Sequence, residues 1–375
     1  MMNPKILTRS NPRKGSTFAA RTAVLAACAA FALCTFDARA QDFYKGKRLT
    51  LLIGSGAGGP TDLEGRLFAK YLVRHIDGHP NVLVQNKDGA GGLLGPSYLG
   101  EVGPRDGSML GYFSASAWLY VSNPEHWRVD FKTYEFIAYQ PGTTINFMRT
   151  DVPPGMHVPR DIAKAKGLVA GGLTADNPKD LKLRLALDML RVPYTYVTGY
   201  RTNMPARLAM QRGEINIFSE SPPSYRAVIE PSLVKTGEMM PVWYDDVDLS
   251  GAAPVPKSMQ GLSIPTFPQL HEMIRGSMPS GPLWEAFRTI FNVNSTLQRI
   301  VTLPPGAPPA AAEALRSAVA RLNEDREFAA EAMRTIEFAP DFETGPDIAA
   351  RVRGMLVASP EVRTFVANYI KSAGK

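Results

Sequence analysis

Short apolar strands alternate with amphipathic helices, and glycine-rich loops join them. Residues 49–53 predict a buried strand, the glycine loop 54–59 follows it, and a helix with one apolar face comes next. Residues 82–84 and 109–113 predict two further strands, with a second glycine loop at 89–92 between them. Alternation at this spacing predicts right-handed crossovers and a parallel sheet, whose ligands bind at the carboxyl ends of the strands.

A second group of strands and helices follows in the same order. Strands are predicted at 136–139, 145–148, 168–170, 194–197, 215–218 and 242–244, and helices at 203–212, 310–322 and 328–336. Asn177-Pro178 and Ser359-Pro360 each place a capping residue before a proline, which predicts two more helix starts. No convincing sequence repeat accompanies this alternation.

The order of the predicted strands divides the chain into lobes. The chain crosses into a second lobe near residue 140, and the strand at 242–244 would carry it back. We therefore expect one lobe to comprise residues 41–140 and 246–375 and the other to comprise 141–245, which suits the length of the chain.

The first 40 residues have the pattern of a cleaved secretory signal. Basic residues precede an apolar run at 23–33 that is too short to span a bilayer, and Ala38-Arg39-Ala40 is a small-x-small cleavage motif. We expect cleavage after Ala40. A lipoprotein-like box also ends at Cys28, but the apolar run continues beyond it, so a lipid anchor is the less favoured alternative.

Charge and cysteine content narrow the function classes. The chain has 42 Lys and Arg against 35 Asp and Glu, but residues 1–40 hold six of the former and one of the latter. The remainder therefore carries only about +2, which is no basic field for nucleic acid. Both cysteines, Cys28 and Cys34, lie in the signal, so the mature chain has no disulfide and no thiolate metal site.

The first glycine loop fits G-x-G-x-x-G at Gly54, Gly56 and Gly59, which suggests a dinucleotide site. The second strand ends at Gln85-Asn86 without the carboxylate that such a site needs, and no Lys-Ser/Thr pair completes a P-loop. Free amides at a helix N-terminus still attract an anion, and a carboxylate suits them as well as a phosphate does. A plain tight turn is the alternative.

No group of residues predicts catalysis or metal binding. His75 and His79 are four positions apart, but Gly78 and Pro80 end the helix there, so a zinc site is not favoured. No serine lies in a G-x-S-x-G motif, and the mature chain has no thiol nucleophile. We therefore expect a protein that is not an enzyme and that holds no metal and no cofactor.

Two charged residues have both a structural and a functional interpretation. Asp62 lies in the first turn of the helix after the first glycine loop, where it favours the helix dipole and could also order the loop or accept a ligand's donor. Arg201, in the second of three polar loops at 171–177, 198–203 and 219–222, is either a carboxylate anchor or a surface arginine.

Three motifs in this order resemble the periplasmic substrate-binding proteins of tripartite tricarboxylate transporters, also called the Bug family. They lie at residues 54–62, 86–95 and 104–107, and the likeness is clearest over residues 43–113. The resemblance implies an α/β fold of the two-lobed, type II Venus-flytrap kind. Each lobe would be a mixed, mainly parallel sheet flanked by helices, and hinge strands would cross between the lobes.

The resemblance also implies a function. A monomeric periplasmic protein would capture a small organic acid, amino acid or amide in the cleft between its lobes and deliver it to a cognate two-component membrane permease. The alternative is a periplasmic sensor that presents its closed form to a membrane sensor protein.

Particular positions are implicated in ligand binding by the same resemblance. In the first lobe they are Gly56, Ala57, Gly58, Gly59, Thr61, Asp62, Ser114, Ala115 and Ser116, and in the second they are Gly172, Thr174, Tyr200, Arg201, Asn203 and Ser219. Pro60 departs from the family pattern and removes one amide donor. Asp176 and Glu220 place carboxylates on loops expected to face the pocket, so an amino acid, an amide or a less charged aromatic acid is favoured over a tri-anion such as citrate.

Overall fold

The computed structural model describes residues 43–252, 254–336 and 338–372. The expected signal, its cleavage site and Cys28 lie outside the described residues. In the part of the chain that the structure describes, none of the helices combines the length and the apolar character of a membrane span.

Strands and helices alternate along most of the chain. The strands are β1 Arg48–Ile53, β2 Asn81–Asn86, β3 Met109–Phe113, β4 Glu135–Gln140, β5 Ile145–Arg149, β6 Leu168–Gly171, β7 Tyr194–Val197, β8 Ile217–Glu220, β9 Met239–Tyr244, β10 Arg299–Leu303 and β11 Glu343–Thr344. The α-helices are α1 Pro60–His75, α2 Leu94–Glu101, α3 Ser116–Ser122, α4 Pro178–Leu190, α5 Asn203–Gln211, α6 Pro222–Ser224, α7 Phe267–Arg275, α8 Pro282–Ile290, α9 Pro309–Asn323, α10 Arg326–Ile336, α11 Ile348–Met355 and α12 Pro360–Lys371. Two π-helical segments, Tyr225–Val234 and Phe291–Ser295, continue α6 and α8.

The first sheet has the strand order β11–β4–β10–β3–β1–β2. β1 pairs in parallel with β2 and β3, whereas β10 runs antiparallel to β3 and β4. The five residues of β3 are all buried, as a central strand with helices on both faces requires. The parallel half of the sheet brings the carboxyl ends of β1, β2 and β3 to one edge.

The second sheet has the strand order β7–β6–β8–β5–β9. β6 is parallel to β7 and β8, and β5 is antiparallel to β8 and β9. The two sheets thus share one plan, in which a parallel half with glycine-rich loops joins an antiparallel half. This arrangement is the two-lobed α/β fold that the sequence predicts.

The chain returns to the first sheet later than the sequence predicts. Helices α7 and α8 contact α4, which follows β6 in the second sheet, and Tyr244 forms an isolated bridge with Thr266. The chain therefore stays beside the second sheet until the segment Phe291–Ser295 leads into β10. We propose that the second lobe extends to about residue 295, rather than ending at 245.

A buried polar network joins the crossing segments. We call it the hinge network, and it comprises Thr143, Thr144, Asn146, Lys182, Ser219, Trp243, Asp245 and Ser295. Lys182 Nζ lies 2.9 Å from Asp245 Oδ2 and donates to Ser295 Oγ at 2.8 Å. Asn146 Nδ2 donates to Asp245 Oδ1 at 2.9 Å, so the carboxylate has neutral donors as well as the cation. Both charged side chains are fully buried.

The last two helices attach to different lobes. On α11, Arg353 Nε donates to the carbonyl oxygen of Lys132, which precedes β4 in the first sheet. On α12, Tyr369 Oη donates to Asp188 Oδ2 of α4 at 2.5 Å. The C-terminal segment therefore bridges the lobes on one side of the molecule.

Candidate functional site

The loops after β1, β2 and β3 touch at the edge of the first sheet. Gly54 N donates to the carbonyl oxygen of Tyr112 at 3.2 Å, and Lys87 N donates to that of Ile53 at 2.8 Å. A Cβ on Gly95 would lie 2.7 Å from Gly54 Cα, so only a glycine lets α2 approach the first loop this closely. The two glycine loops predicted from the sequence therefore form one continuous surface.

The Asp62 carboxylate orders the first glycine loop. It accepts hydrogen bonds from Gly58 N at 2.8 Å, from Arg66 Nε at 3.0 Å and from Asn86 Nδ2 at 2.8 Å. Burial acts to raise the pKa of Asp62, but the hydrogen bonds from Arg66, Asn86 and Gly58 outweigh it and hold the pKa below its usual value. Of the two interpretations of Asp62, these contacts support the ordering of the loop.

Several backbone amides of this loop and of the first turn of α1 remain free to bind an anion. Within residues 43–252, 254–336 and 338–372, the amides of Gly56, Ala57, Thr61 and Asp62 have no hydrogen-bond acceptor. The Gly58 amide, by contrast, is occupied by the Asp62 carboxylate. We call the four free amides the amide nest.

A carboxylate lies next to this nest. A Cβ on Gly56 would be 3.1 Å from Asp88 Oδ2, which places the exposed Asp88 side chain against the loop. Its negative charge opposes a highly charged anion in the nest, because like charges at this range repel.

Hydroxyl groups from α1 and from the loop after β3 surround the nest. Thr61 Oγ1 lies 3.3 Å from Ser114 Oγ, so these two predicted residues are neighbours. The Oγ atoms of Ser55 and Ser116 are buried and have no hydrogen-bond partner in the described part of the chain. Buried polar atoms are normally satisfied, so these hydroxyls could bond a ligand or a water. Ala115, before α3, has φ of 59° and directs the chain into that helix.

In the second lobe, Asp180 organises the loop after β6. Its Oδ2 accepts hydrogen bonds from Leu173 N at 2.5 Å and from Thr174 N at 3.2 Å. Lys179 Nζ lies 2.8 Å from the other carboxylate oxygen and balances the charge of this fully buried side chain. Gly172 is buried and Thr174 is exposed at this edge of the sheet.

Glu220 does not face an open pocket, in contrast to the expectation from the sequence. It is fully buried at the end of β8, where it accepts from Asn203 Nδ2 at 2.5 Å and Arg207 Nε at 2.7 Å. Burial raises the pKa of Glu220 despite the nearby cations Arg207 and Lys179. Because Asn203 donates to Glu220, this pair of residues attaches α5 to β8.

The remaining predicted residues of the second lobe lie at different depths. Ser219 is fully buried and donates to Asn146 Oδ1 at 2.5 Å, so its hydroxyl belongs to the hinge network. Tyr200 is half-buried and Arg201 is exposed, both in the loop after β7. The Ser219 hydroxyl is therefore used within the protein, whereas Arg201 remains exposed to solvent.

A hydrogen bond joins the loop edges of the two sheets. Trp118 Nε1 on α3 donates to the carbonyl oxygen of Asp176, in the loop after β6, at 3.2 Å. Trp118 is almost completely buried. Trp118 is not predicted from the sequence, because its partner lies 58 positions away and no local pattern signals the pair. The described residues contain no cluster of three or more His, Cys, Asp or Glu that could hold a metal ion.

Comparison with sequence families and curated proteins gives partial matches. No family model matches the chain. The chain is 40% identical over 94 residues to the UPF0065 protein in the gbd 5' region of Cupriavidus necator, and 38% identical over 73 residues to a UPF0065 protein from the TAR-I ttuE-ttuC' intergenic region of Agrobacterium vitis. These alignments cover 25% and 20% of this chain, and the chain spans only 28% and 20% of those relatives.

Solved structures match nearly the whole fold. The periplasmic binding protein BugD superposes with a TM-score of 0.60 at 18% identity, over 88% of this chain and 99% of BugD. This chain has the same fold as BugD. An R. palustris protein with adipate has a TM-score of 0.61, and MatC from Rhodopseudomonas palustris with bound malate has one of 0.55, each at 17% identity over 88% of this chain and 98% of the other. The fold class and the resemblance to the Bug family, both predicted from the loop motifs, are confirmed.

Proposed function

We propose that this protein is a periplasmic solute-binding protein that captures a small carboxylate between its lobes and releases it to a membrane permease of the tripartite tricarboxylate type. The observation that carries this proposal is the amide nest, because its free donors lie at the edge of the first sheet that faces the second lobe. Bug-fold proteins solved with adipate and with malate add support. The protein would bind its ligand without changing it.

The ligand's carboxylate would accept hydrogen bonds from the amides of Gly56, Ala57 and Thr61. The hydroxyls of Thr61 and Ser114 lie beside these donors and would orient it. Because a carboxylate can be held by oriented amides without a buried cation, this half of the site requires no metal.

The second lobe would recognise the other end of the ligand. Asp176 lies on the loop that contacts Trp118 of the first lobe and offers an acceptor, and the exposed Arg201 would offer donors. Asp88 adds a negative charge beside the nest. Since Glu220 is buried, Asp88 and Asp176 are the carboxylates that would repel a tri-anion. We propose a ligand with one or two carboxylates.

Binding would be coupled to closure of the lobes. The contact from Trp118 to Asp176 shows that the two edges can meet, and a ligand that favours this arrangement shifts the equilibrium toward it. A micromolar dissociation constant would correspond to about −8 kcal/mol.

Isothermal titration with adipate, malate, citrate, aspartate and nicotinamide tests this proposal. We expect a mono- or dicarboxylate to bind in the micromolar range and citrate to bind at least about tenfold more weakly. Citrate binding tighter than every other member would contradict the proposed ligand class, and the absence of any binding would contradict carboxylate capture. N-terminal sequencing of the protein from the periplasmic fraction tests export, with Gln41 expected as the first residue.

A further inference from the structure

The first helix of each lobe begins with the same pattern of residues. Pro60 to Leu67 and Pro178 to Leu185 both read Pro-x-Asp-Leu-x-x-Arg-Leu, and each pattern begins six positions after a glycine, Gly54 or Gly172. The two helices also occupy equivalent places, because β1 and β6 each lie between two parallel neighbours. The fold therefore contains a repeated strand–loop–helix unit, although the sequence as a whole shows no convincing repeat.

The aspartates of the two units make contacts of the same kind, although to amides at different positions of the loops. Asp62 accepts from Gly58 N in its own preceding loop, and Asp180 accepts from Leu173 N and Thr174 N in the corresponding loop. Both carboxylates are buried. We infer that Asp180 is the positioning residue of the second half-site, as the counterpart of Asp62. This inference rests on the proposed function.

The loop that Asp180 holds is the one that meets the first lobe. It carries Asp176, whose carbonyl oxygen accepts from Trp118, and Thr174, whose carbonyl oxygen accepts from Tyr196 Oη at 3.1 Å. Arg184 donates to the carbonyl oxygen of Ala175 at 3.2 Å. Asp180 thus holds two amides of this loop, while Trp118, Tyr196 and Arg184 hold three of its carbonyl oxygens.

The two half-sites differ in how many amides their aspartates occupy. Asp180 takes the amides of Leu173 and Thr174, whereas Asp62 takes only that of Gly58. Both loops still leave amides without an acceptor among the described residues, at Gly56 and Ala57 in the first lobe and at Ala175 and Asp176 in the second.

Amide hydrogen exchange followed by NMR tests the positioning role without a ligand. We expect Asp180→Ala to speed exchange at Leu173 and Thr174 about tenfold or more, since a charge-assisted acceptor is lost, and to leave Gly58 unchanged. The matched variant Asp62→Ala should speed exchange at Gly58 alone. Asp180→Asn, which keeps an acceptor oxygen, should restore most of the protection and serves as the test variant if Asp180→Ala does not fold.

Exchange that rises equally along β6 and α4 would show general destabilisation and would overturn the inference, as would unchanged exchange at Leu173 and Thr174. Titration with adipate gives the second readout. We expect Asp180→Ala to weaken adipate binding about tenfold and Asp180→Asn to recover most of it. Unchanged adipate affinity in Asp180→Ala would also overturn the role in binding. If adipate does not bind the wild type, that result counts against the proposed adipate-class ligand alone, and the exchange data still decide whether Asp180 positions the loop.

Discussion

Replacing Lys182 with methionine measures how much the hinge network contributes to stability. The Lys182 ammonium lies 2.9 Å from the Asp245 carboxylate, and both groups are fully buried. Methionine keeps most of the apolar stem but leaves Asp245 with the neutral donors of Asn146 and Trp243. Removing one partner of a buried pair costs about 3–5 kcal/mol because the other charge stays desolvated. We expect a loss of about 4 kcal/mol, which is a large part of the ~5–15 kcal/mol that stabilises a typical domain.

Urea denaturation at neutral pH measures this loss. Lys257→Met is the matched control, because Lys257 pairs with Asp341 where the side chains are 66% and 54% exposed, and such a pair contributes at most about 1 kcal/mol. Removing both buried charges, in Lys182→Met with Asp245→Leu, should recover much of the stability. If Lys182→Met lowers the free energy of unfolding no more than Lys257→Met does, the buried pair contributes no more to stability than the exposed pair, and the expected effect of burial is refuted.

Three further predictions concern the first glycine loop. Asp62→Ala should weaken carboxylate binding about tenfold in titration calorimetry, because the Gly58 amide loses its acceptor and the loop loses its order. Circular dichroism should show an intact fold. Unchanged affinity would show that Asp62 acts only as a helix cap. Gly95→Ala should lower the free energy of unfolding, measured by thermal unfolding, by about 1–3 kcal/mol, because the alanine Cβ would clash with Gly54. Gly354→Ala on α11, where a Cβ meets nothing within 4 Å, should be neutral or stabilising by up to about 1 kcal/mol. Equal effects of the two substitutions would contradict the close packing of Gly95. The pKa of Asp62 is lower in the folded protein than its unfolded value of about 3.9, so the ionised carboxylate stabilises the fold. This stabilisation is fully present above about pH 3.9 and is lost as the pH falls through the folded pKa. Below about pH 4, the melting temperature of Asp62→Asn should therefore fall less steeply with decreasing pH than that of the wild type. Parallel curves of melting temperature against pH for the variant and the wild type would refute this.

The strands and most helix starts can be predicted from the sequence because local patterns determine them. The apolar run at 109–113 coincides with β3, and the caps at Asn177 and Ser359 accept hydrogen bonds from the amides that follow. The run at 215–218 misplaces β8 by two residues, because Ile215 is buried against Gly171 before the strand begins. Strand β10, Arg299–Leu303, is not predicted from the sequence.

The site is less predictable, because side-chain partners decide its chemistry. The sequence places Glu220 on a loop facing the pocket, yet Asn203 and Arg207 bury it. It leaves the role of Asp62 open, since Asn86 and Arg66 reach that carboxylate only after folding. Pairing across lobes, as between Trp118 and Asp176, has no local signature at all.

The bridging C-terminal segment limits how the two halves can move apart. Helix α11 is fastened beside β4 and helix α12 beside α4, and only residues 356–359 connect them. Four residues reach at most about 14 Å when fully extended. While both attachments hold, the separation of the lobes on this side is limited by the length of this linker. Opening of the lobes would therefore be a rotation about an axis near residues 356–359.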